Sequence, residues 1–247
     1  KVEDFNYNAG VYSLKPGVVS NAGIIGVVQP GAIKFKDLNG DGVIDLNNDR
    51  QIIGNPTPKF TGGLNQQFSY KQWDMSLFVN FSYGNDIYNA NKIEFTNGYT
   101  NNSNMLDIMN GRWKVITPSG QTAQWVSGNT VMGIAPDQLA ALNANATIWQ
   151  PIRSAGAFYP HSWAIEDGSF LRFNNLTIGY SFPASKLAGT KISKLRLYVT
   201  ANNFAIITNY SGYDPEVSVR SNPLTPGLDY SAYPKSRTFL FGINASF

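Results

Sequence analysis

FTGGLNQQFSYKQWDMSLFVNFSY, residues 60–83, changes character at every second residue. Phe60, Gly62, Leu64, Gln66, Phe68 and Tyr70 share one parity, and Thr61, Gly63, Asn65, Gln67 and Ser69 share the other. Beyond the polar pair Lys71 and Gln72 the alternation resumes. Trp73, Met75, Leu77, Val79, Phe81 and Tyr83 now stand against Asp74, Ser76, Phe78, Asn80 and Ser82. A strand points successive side chains to opposite sides, so each half has one apolar and one polar face. Two such runs joined by a two-residue polar link read as a hairpin.

Three further segments repeat the pattern. Residues 170–182 place Leu176, Ile178, Tyr180 and Phe182 opposite Asn175, Thr177 and Ser181. Residues 193–208 place Leu195, Leu197, Val199, Ala201, Ala205 and Ile207 opposite Lys194, Arg196, Thr200 and Asn202. Residues 237–247 place Phe239, Phe241, Ile243, Ala245 and Phe247 opposite Thr238, Gly242, Asn244 and Ser246. Ordinary globular strands run about 5–6 residues, whereas a membrane-crossing strand needs about 9–11. Phe68, Tyr70 and Trp73 gather at one end of the first hairpin, and Phe81 and Tyr83 at the other, as in the aromatic girdles that flank the apolar band of a membrane barrel. A β-sandwich also alternates, but strand length, low charge and aromatic ends favour the barrel. The links alternate short, long, short, long, so the five segments run down, up, down, up, down, with Phe247 at the periplasmic face. Five strands in lipid would leave two unpaired edges, where each unsatisfied backbone group costs several kcal/mol. The segments are therefore expected to be part of a larger cylinder.

Composition narrows the function classes. Charged residues are 14% of the 247, well below the roughly 25% usual in soluble domains, while aromatics reach 13%. The net charge of +3 is too small, and Lys and Arg too scattered, for a nucleic-acid reader. There is no cysteine and a single histidine, which removes thiol chemistry, disulfides and most triads. No run of about 18 apolar residues codes a transmembrane helix.

The string DLNGDGVID, residues 37–45, has the spacing of the first part of an EF-hand-like loop. Oxygen side chains of Asp37, Asn39, Asp41 and Asp45, with the Val43 carbonyl, are candidate ligands for a structural Ca²⁺, and Gly42 permits the sharp turn. The closing acid is out of register: position 12 is Asn48 and Asp49 follows it. The competing reading is an Asx-rich turn that hydrogen-bonds to itself. Either role is structural. His161 stands alone in an aromatic loop, without the nucleophile and orienter that a base needs. The adjacent Glu166 and Asp167 read as a turn rather than as glycosidase carboxylates. No enzyme is expected, and no P-loop or GxSxG elbow occurs.

In the first long link, SNMLDIMNGRW (residues 103–113) is compatible with a short helix capped by Ser103 or Asn104. The surroundings of Trp125, Trp149, Phe158, Tyr159 and Trp163 are rich in aromatics, amides and proline. These rings read first as loop packing and second as stacking or docking surfaces.

Taken in order, GAIKFKDLNGDGVID, IIGNPTPKFTGGLN, FVNFSYGNDIYNA, IEDGSFLRFNNLTIGYSFP, KLRLYVTANNFAIITNYSGYDPEV and the ending YPKSRTFLFGINASF resemble the C-terminal barrel of SusC/RagA-type TonB-dependent outer-membrane transporters. The resemblance runs from about Gly31 onward. It implies an all-β fold: an antiparallel transmembrane β-barrel segment, about five C-terminal strands of a plugged barrel of about 22 strands, with long extracellular loops. Residues 1–58 would then be an extracellular loop region carrying the acidic turn, and residues 59–247 barrel strands and their loops. The resemblance further implies a Gram-negative outer-membrane location and import of glycans or peptides. It also implies a SusD-like surface lipoprotein as lid, and TonB acting through an N-terminal plug that these residues do not include. Asn65, Gln67, Asn80, Ser82, Asn175, Thr177, Thr200, Asn202 and Asn244 would line a hydrated lumen, with loops 84–167 and 209–236 meeting lid and cargo. The reading from another class is a secreted β-rich carbohydrate-binding or adhesin module with a calcium-stabilised loop.

Overall fold

The computed structural model describes residues 1–97, 104–151, 158–217 and 224–247. Its strands are β1 (Phe5–Asn8), β2 (Val11–Leu14), β3 (Phe60–Tyr70), β4 (Trp73–Tyr83), β5 (Asp86–Asn89), β6 (Gln124–Ser127), β7 (Thr130–Gly133), β8 (Ile165–Asp167), β9 (Phe170–Ser181), β10 (Lys194–Thr208), β11 (Leu228–Asp229) and β12 (Thr238–Ser246). Helices are short: α1 (Ala22–Ile25), α2 (Ala90–Glu94), α3 (Pro136–Leu142) and α4 (Ala184–Leu187). The chain divides into two compact units. One is Lys1–Ile52 with Lys92–Pro160; the other is Ile53–Asn91 with His161–Phe247. The described residues between Lys92 and Pro160 thus group with the N-terminal stretch.

The second unit is built on one antiparallel sheet in the order β12-β10-β9-β4-β3. Each long strand lies beside the next long strand in sequence, which is the meander expected from the alternating links. The Lys71–Gln72 turn closes β3 on β4, with Lys71 at a φ of 54°. Because paired residues face the same way, register gives the composition of each face. Phe68, Met75, Ile178, Val199 and Phe241 form one continuous row across all five strands, and Gln66, Leu77, Leu176, Ala201 and Phe239 form the next.

Beyond these two rows the pairing passes through two irregularities. Along β9, Leu176 pairs with Leu77 while Phe173, three residues earlier, pairs with Val79. The extra residue, Asn174, resets parity, so Leu171 and Phe173 join the apolar face. In β10 the register shifts between Asn202 and Ala205, taking in Asn203, whose φ is 49°. A β-bulge adds one residue to one strand and re-aims the side chains beyond it. Asparagine is among the few residues that tolerate the left-handed region.

Gly179 illustrates how tightly the polar face is packed. It sits opposite Asp74, and a Cβ there would overlap both the Asp74 carboxylate and the Arg196 guanidinium. The ion pair spans 2.5 Å through Nη2, with Nε donating at 3.0 Å, across the space that the glycine leaves.

The first unit holds a small core. Phe5, Tyr12, Ala123, Val131 and Leu139 are buried together, with Trp113, Ile134 and Leu142 packed on them. Phe5, Tyr12 and Val131 come from β1, β2 and β7, Leu139 and Leu142 from α3, and Ala123, Trp113 and Ile134 from the segments beside them. Tyr12 donates its phenol to the Ile134 carbonyl at 2.7 Å, and burial raises its pKa to about 12.

Replacing Gly179 with alanine should break the Asp74–Arg196 pair and destabilise the sheet by about 1–3 kcal/mol, the usual cost of overpacking. Denaturant unfolding of the purified protein measures it, and an unchanged midpoint would contradict the close packing.

Candidate functional site

The sheet presents two faces of different chemistry, and neither is covered by another sheet of its own unit among the described residues. On the apolar side, Leu64, Phe68, Phe239, Phe241 and Ile243 are all more than half exposed, Phe241 at 82%. A contiguous apolar surface of this extent is uncommon on a soluble monomer and marks contact with a partner or a membrane. Aromatics collect at its two ends. Trp73 and Tyr180 pack with ring centroids 4.9 Å apart at one end, and Phe60 stacks on Tyr83 at 5.0 Å at the other. Gln66 is the polar exception on this side, and its amide donates to the Asn65 carbonyl at 3.2 Å.

The polar side is a lattice of amides and hydroxyls. Asn175 donates to Asn202 at 2.8 Å, and the Thr177 and Thr200 hydroxyls share a hydrogen bond at 2.8 Å. Asn174 donates to Asn80 at 2.5 Å, and Ser82 donates to Asn85 at 2.9 Å. Six of the nine residues expected to line a hydrated surface are therefore tied into the lattice: Asn80, Ser82, Asn175, Thr177, Thr200 and Asn202. Asn65, Gln67 and Asn244 lie on the same face by register and are exposed.

Sequence reasoning placed Asp74, Lys194 and Arg196 on this face but missed the cluster around Arg172. Arg172, only 2% exposed, is paired with Asp214, and its Nε lies 2.6 Å from Glu216. The Lys235 ammonium reaches Glu216 at 2.6 Å. The available signal was an arginine at an alternate position inside a strand with almost no other charge.

Residues 37–49 form a turn that satisfies itself. The Asp37 carboxylate accepts from the Gly40 and Gly42 amides at 2.6 and 2.9 Å. The Asn39 side-chain oxygen accepts from the Asp41 amide at 3.2 Å, and Asp41 accepts from Val43 at 2.8 Å. Gly42 has a φ of 86°, the left-handed turn its position called for. The out-of-register acid is used differently. Asp49 accepts from the Leu38 and Asp45 amides at 2.6 and 2.8 Å and clasps the neck of the loop. Backbone amides of Asn48, then of Asn47, hold the Asp45 carboxyl below the usual carboxylate range. Among the described residues no group of three or more His, Asp or Glu side chains is placed to hold a metal ion. The geometry matches the self-bonded Asx turn, with Ile44 fully buried as its anchor.

The remaining candidates take structural places. Glu166 accepts from the Ser211 amide and hydroxyl, each at 2.8 Å, and Asp167 accepts from the Ser169 amide and hydroxyl. His161 stacks on Trp163 with centroids 6.0 Å apart. Trp113 packs on the core of the first unit, and Trp125 is 47% exposed. The helix expected in residues 103–113 is a 3₁₀ turn over Asp107–Gly111 with Leu106 at its N-cap position, so Asn104 is not the cap. Ser103, the other cap considered, lies outside the described residues, as do parts of the loops expected to meet lid and cargo, residues 98–103, 152–157 and 218–223.

A long-stranded antiparallel β protein with one greasy and one hydrated face is the class that this geometry defines. No protein-family model matches the chain. TonB-dependent receptor P3 of Formosa agariphila is 34% identical over 243 residues, 96% of this chain and 21% of the relative. TonB-dependent receptor SusC of Bacteroides thetaiotaomicron is 30% identical over 216 residues, 86% of this chain and 17% of the relative. The RagAB peptide transporter aligns with a TM-score of 0.59 at 22% identity, over 88% of this chain and 20% of that one, which is a likeness of fold. The chain belongs to the TonB-dependent receptors that include SusC, and it spans about a fifth of the length of the curated relatives it matches.

Asp45, with its pKa depressed, should keep its amide partners as pH falls through the ordinary carboxylate range and lose them only below it. Hydrogen exchange at Asn47 and Asn48 between pH 7 and 3 tests the sign. Asp37→Ala should speed exchange at Gly40 and Gly42 at any pH in that window.

Proposed function

We propose that this chain is part of the wall of a TonB-dependent importer in a Gram-negative outer membrane. The uncovered apolar face carries this reading. Its strands would cross the hydrocarbon layer and close, with strands from the rest of the receptor, into a plugged cylinder of about 22. Dimensions support it. Ten rises of about 3.3 Å separate Trp73 from Tyr83, roughly 33 Å along the strand and about 25 Å across a layer at a tilt of about 40°, the height of an outer-membrane apolar band. Tyr70, Trp73 and Tyr180 would then sit at one interface, and Phe60 and Tyr83 at the other. β3 and β12 each have one neighbour in this sheet, and in hydrocarbon both open edges need partners.

The polar face would look into the hydrated lumen, where TonB-linked energy reaches the protein through the plug. Its amides and hydroxyls suit hydrogen-bonding cargo such as glycans or peptides. The first unit and the long links would lie outside the cell and meet a SusD-like surface lipoprotein. The acidic turn is proposed as a structural clasp within this outer part. Bound Ca²⁺ on the oxygens of Asp37, Asn39, Asp41, Val43 and Asp45 would show as added amide protection on titration with CaCl₂.

Neighbours on one strand test the membrane reading. Leu77→Arg puts a charge at mid-height on the apolar face and should cost about 2–4 kcal/mol, lowering the amount of heat-stable receptor in outer-membrane fractions. Ser76→Arg, at the same height on the polar face, should assemble normally. Equal tolerance of both, or a chain that is monodisperse without detergent, would overturn the proposal in favour of a soluble module.

A further inference from the structure

Three strings that are far apart in the sequence meet at one buried cation. FLRF supplies Arg172 from β9, ANNF supplies Asn203 from the bulge of β10, and YDPE supplies Asp214 and Glu216 from the link after β10. The Arg172 Nη1 donates to Asn203 Oδ1 at 2.5 Å, Nη2 donates to Asp214 Oδ1, and Nε faces Glu216. The guanidinium carbon also lies 5.6 Å from the Phe170 ring centroid. The other limb of the same link is held as well. Asn203 donates to the carbonyls of Lys235 and Ser236 at 3.0 and 3.2 Å, and Lys235 closes on Glu216. Two cations and two carboxylates thus balance within one cluster.

We propose that Arg172 is a positioning residue that locks both limbs of the β10–β12 connection, residues 209–217 and 224–236, onto the polar face of the sheet. Burying an arginine is expensive unless its charge and its donors are met. Here the charge is met by Asp214 and Glu216 from the connection, and the two Nη donors by Asp214 and by Asn203 of the bulge, while Nε lies in ion-pair range of Glu216 without a hydrogen bond of its own. The arginine therefore serves to hold the connection, because the ladder of β9 is already complete through its backbone. Bidentate geometry and a planar fork suit it to join two acids and an amide at fixed angles. The left-handed Asn203 serves both limbs, accepting from Arg172 and donating to the second limb.

A separate anchorage lies nearer the strand ends. Tyr210 donates to Asp229 at 2.5 Å, Ser211 is held by Glu166, and the Tyr88 amide donates to the Gly227 carbonyl at 2.8 Å. The connection is fastened at two levels, and Arg172 governs only the one on the wall. Without it, the stretches around residues 214–217 and 235–236 would be free to leave the polar face while the outer fastening stays closed. This inference rests on the packing alone and holds whether or not the apolar face meets lipid.

The test is hydrogen exchange on the full-length receptor with Arg172→Gln, Asp214→Asn and the double variant. Each single variant should speed exchange at residues 214–217 and 235–236 by at least about tenfold, with residues 210–211, β3 and β4 unchanged. The double variant should go little further than either single, as expected of groups acting as one unit. Additive effects, acceleration spread over the whole sheet, or no acceleration would each overturn the proposal. Should Arg172→Gln fail to assemble, Glu216→Gln, at a more exposed position, gives the same local acceleration in smaller measure. Its absence would count equally against the lock.

Discussion

A backbone amide or carbonyl without a hydrogen-bond partner is costly wherever water cannot reach it, and the second unit is organised around that fact. Its five long strands satisfy one another in a continuous ladder from β12 to β3. Once the backbone groups between the edges are paired, side chains alone decide what each face can touch. The chain assigns hydrocarbon to one parity and amides or hydroxyls to the other. With no other sheet of its own unit laid over either face among the described residues, the division serves the surroundings rather than an internal core. The first unit is the contrast within the same chain: its apolar residues, Phe5, Tyr12, Val131 and Leu139, turn toward each other.

A two-faced sheet is unforgiving of register, since a slip of one residue exchanges the faces of a whole strand. The bulges at Asn174 and at Asn203 show how the problem is handled here. The first leaves Asn174 unpaired in β9 and the second leaves Asn203 and Phe204 unpaired in β10, and both asparagines bond on the polar face. Asn174 donates to Asn80, while Asn203 ties the following connection to Arg172. The irregularity that rescues the apolar row is therefore the same feature that furnishes the polar face with its fixed contacts.

How much of this was legible in the sequence depends on the range of each interaction. Period two belongs to the single strand, so the limits of β3 and β4 could be read from residues 60–83, and those of β9, β10 and β12 to within a residue or two. The short strands β5, β8 and β11 carry no such signal, because two to four residues hold too few alternations. Bulges break the count without leaving a compositional mark, which is why Leu171 and Phe173 were not assigned to the apolar row. The acidic turn was legible as far as its glycine and its spacing. The role of Asp49 was not, since it depends on the loop returning to its own neck. The pairs Arg172 with Asp214 and Asp74 with Arg196 join residues 42 and 122 positions apart, a distance at which a single sequence offers only the oddity of a lone charge.

The scarcity of charge and its placement have one physical origin. A wall between two media gains nothing from charges on its apolar face, and none of the five strands places one between the aromatic ends of that face. On the polar face, water alone could have solvated scattered charges cheaply, yet the structure pairs them: Arg196 with Asp74, and Arg172 and Lys235 with Asp214 and Glu216. An exposed pair contributes little to stability, and a buried one gives back much of its attraction as desolvation, so these are poorly explained as ballast for the fold. They are better explained by geometry. One pair bridges from β4 to β10 over Gly179, and the other cluster fixes a connection to the strands that it links. In these clusters charge holds separate segments at a set position, each of the three cations beside a carboxylate. Lys194 stands exposed at the end of β10, and amides and hydroxyls cover the surface between.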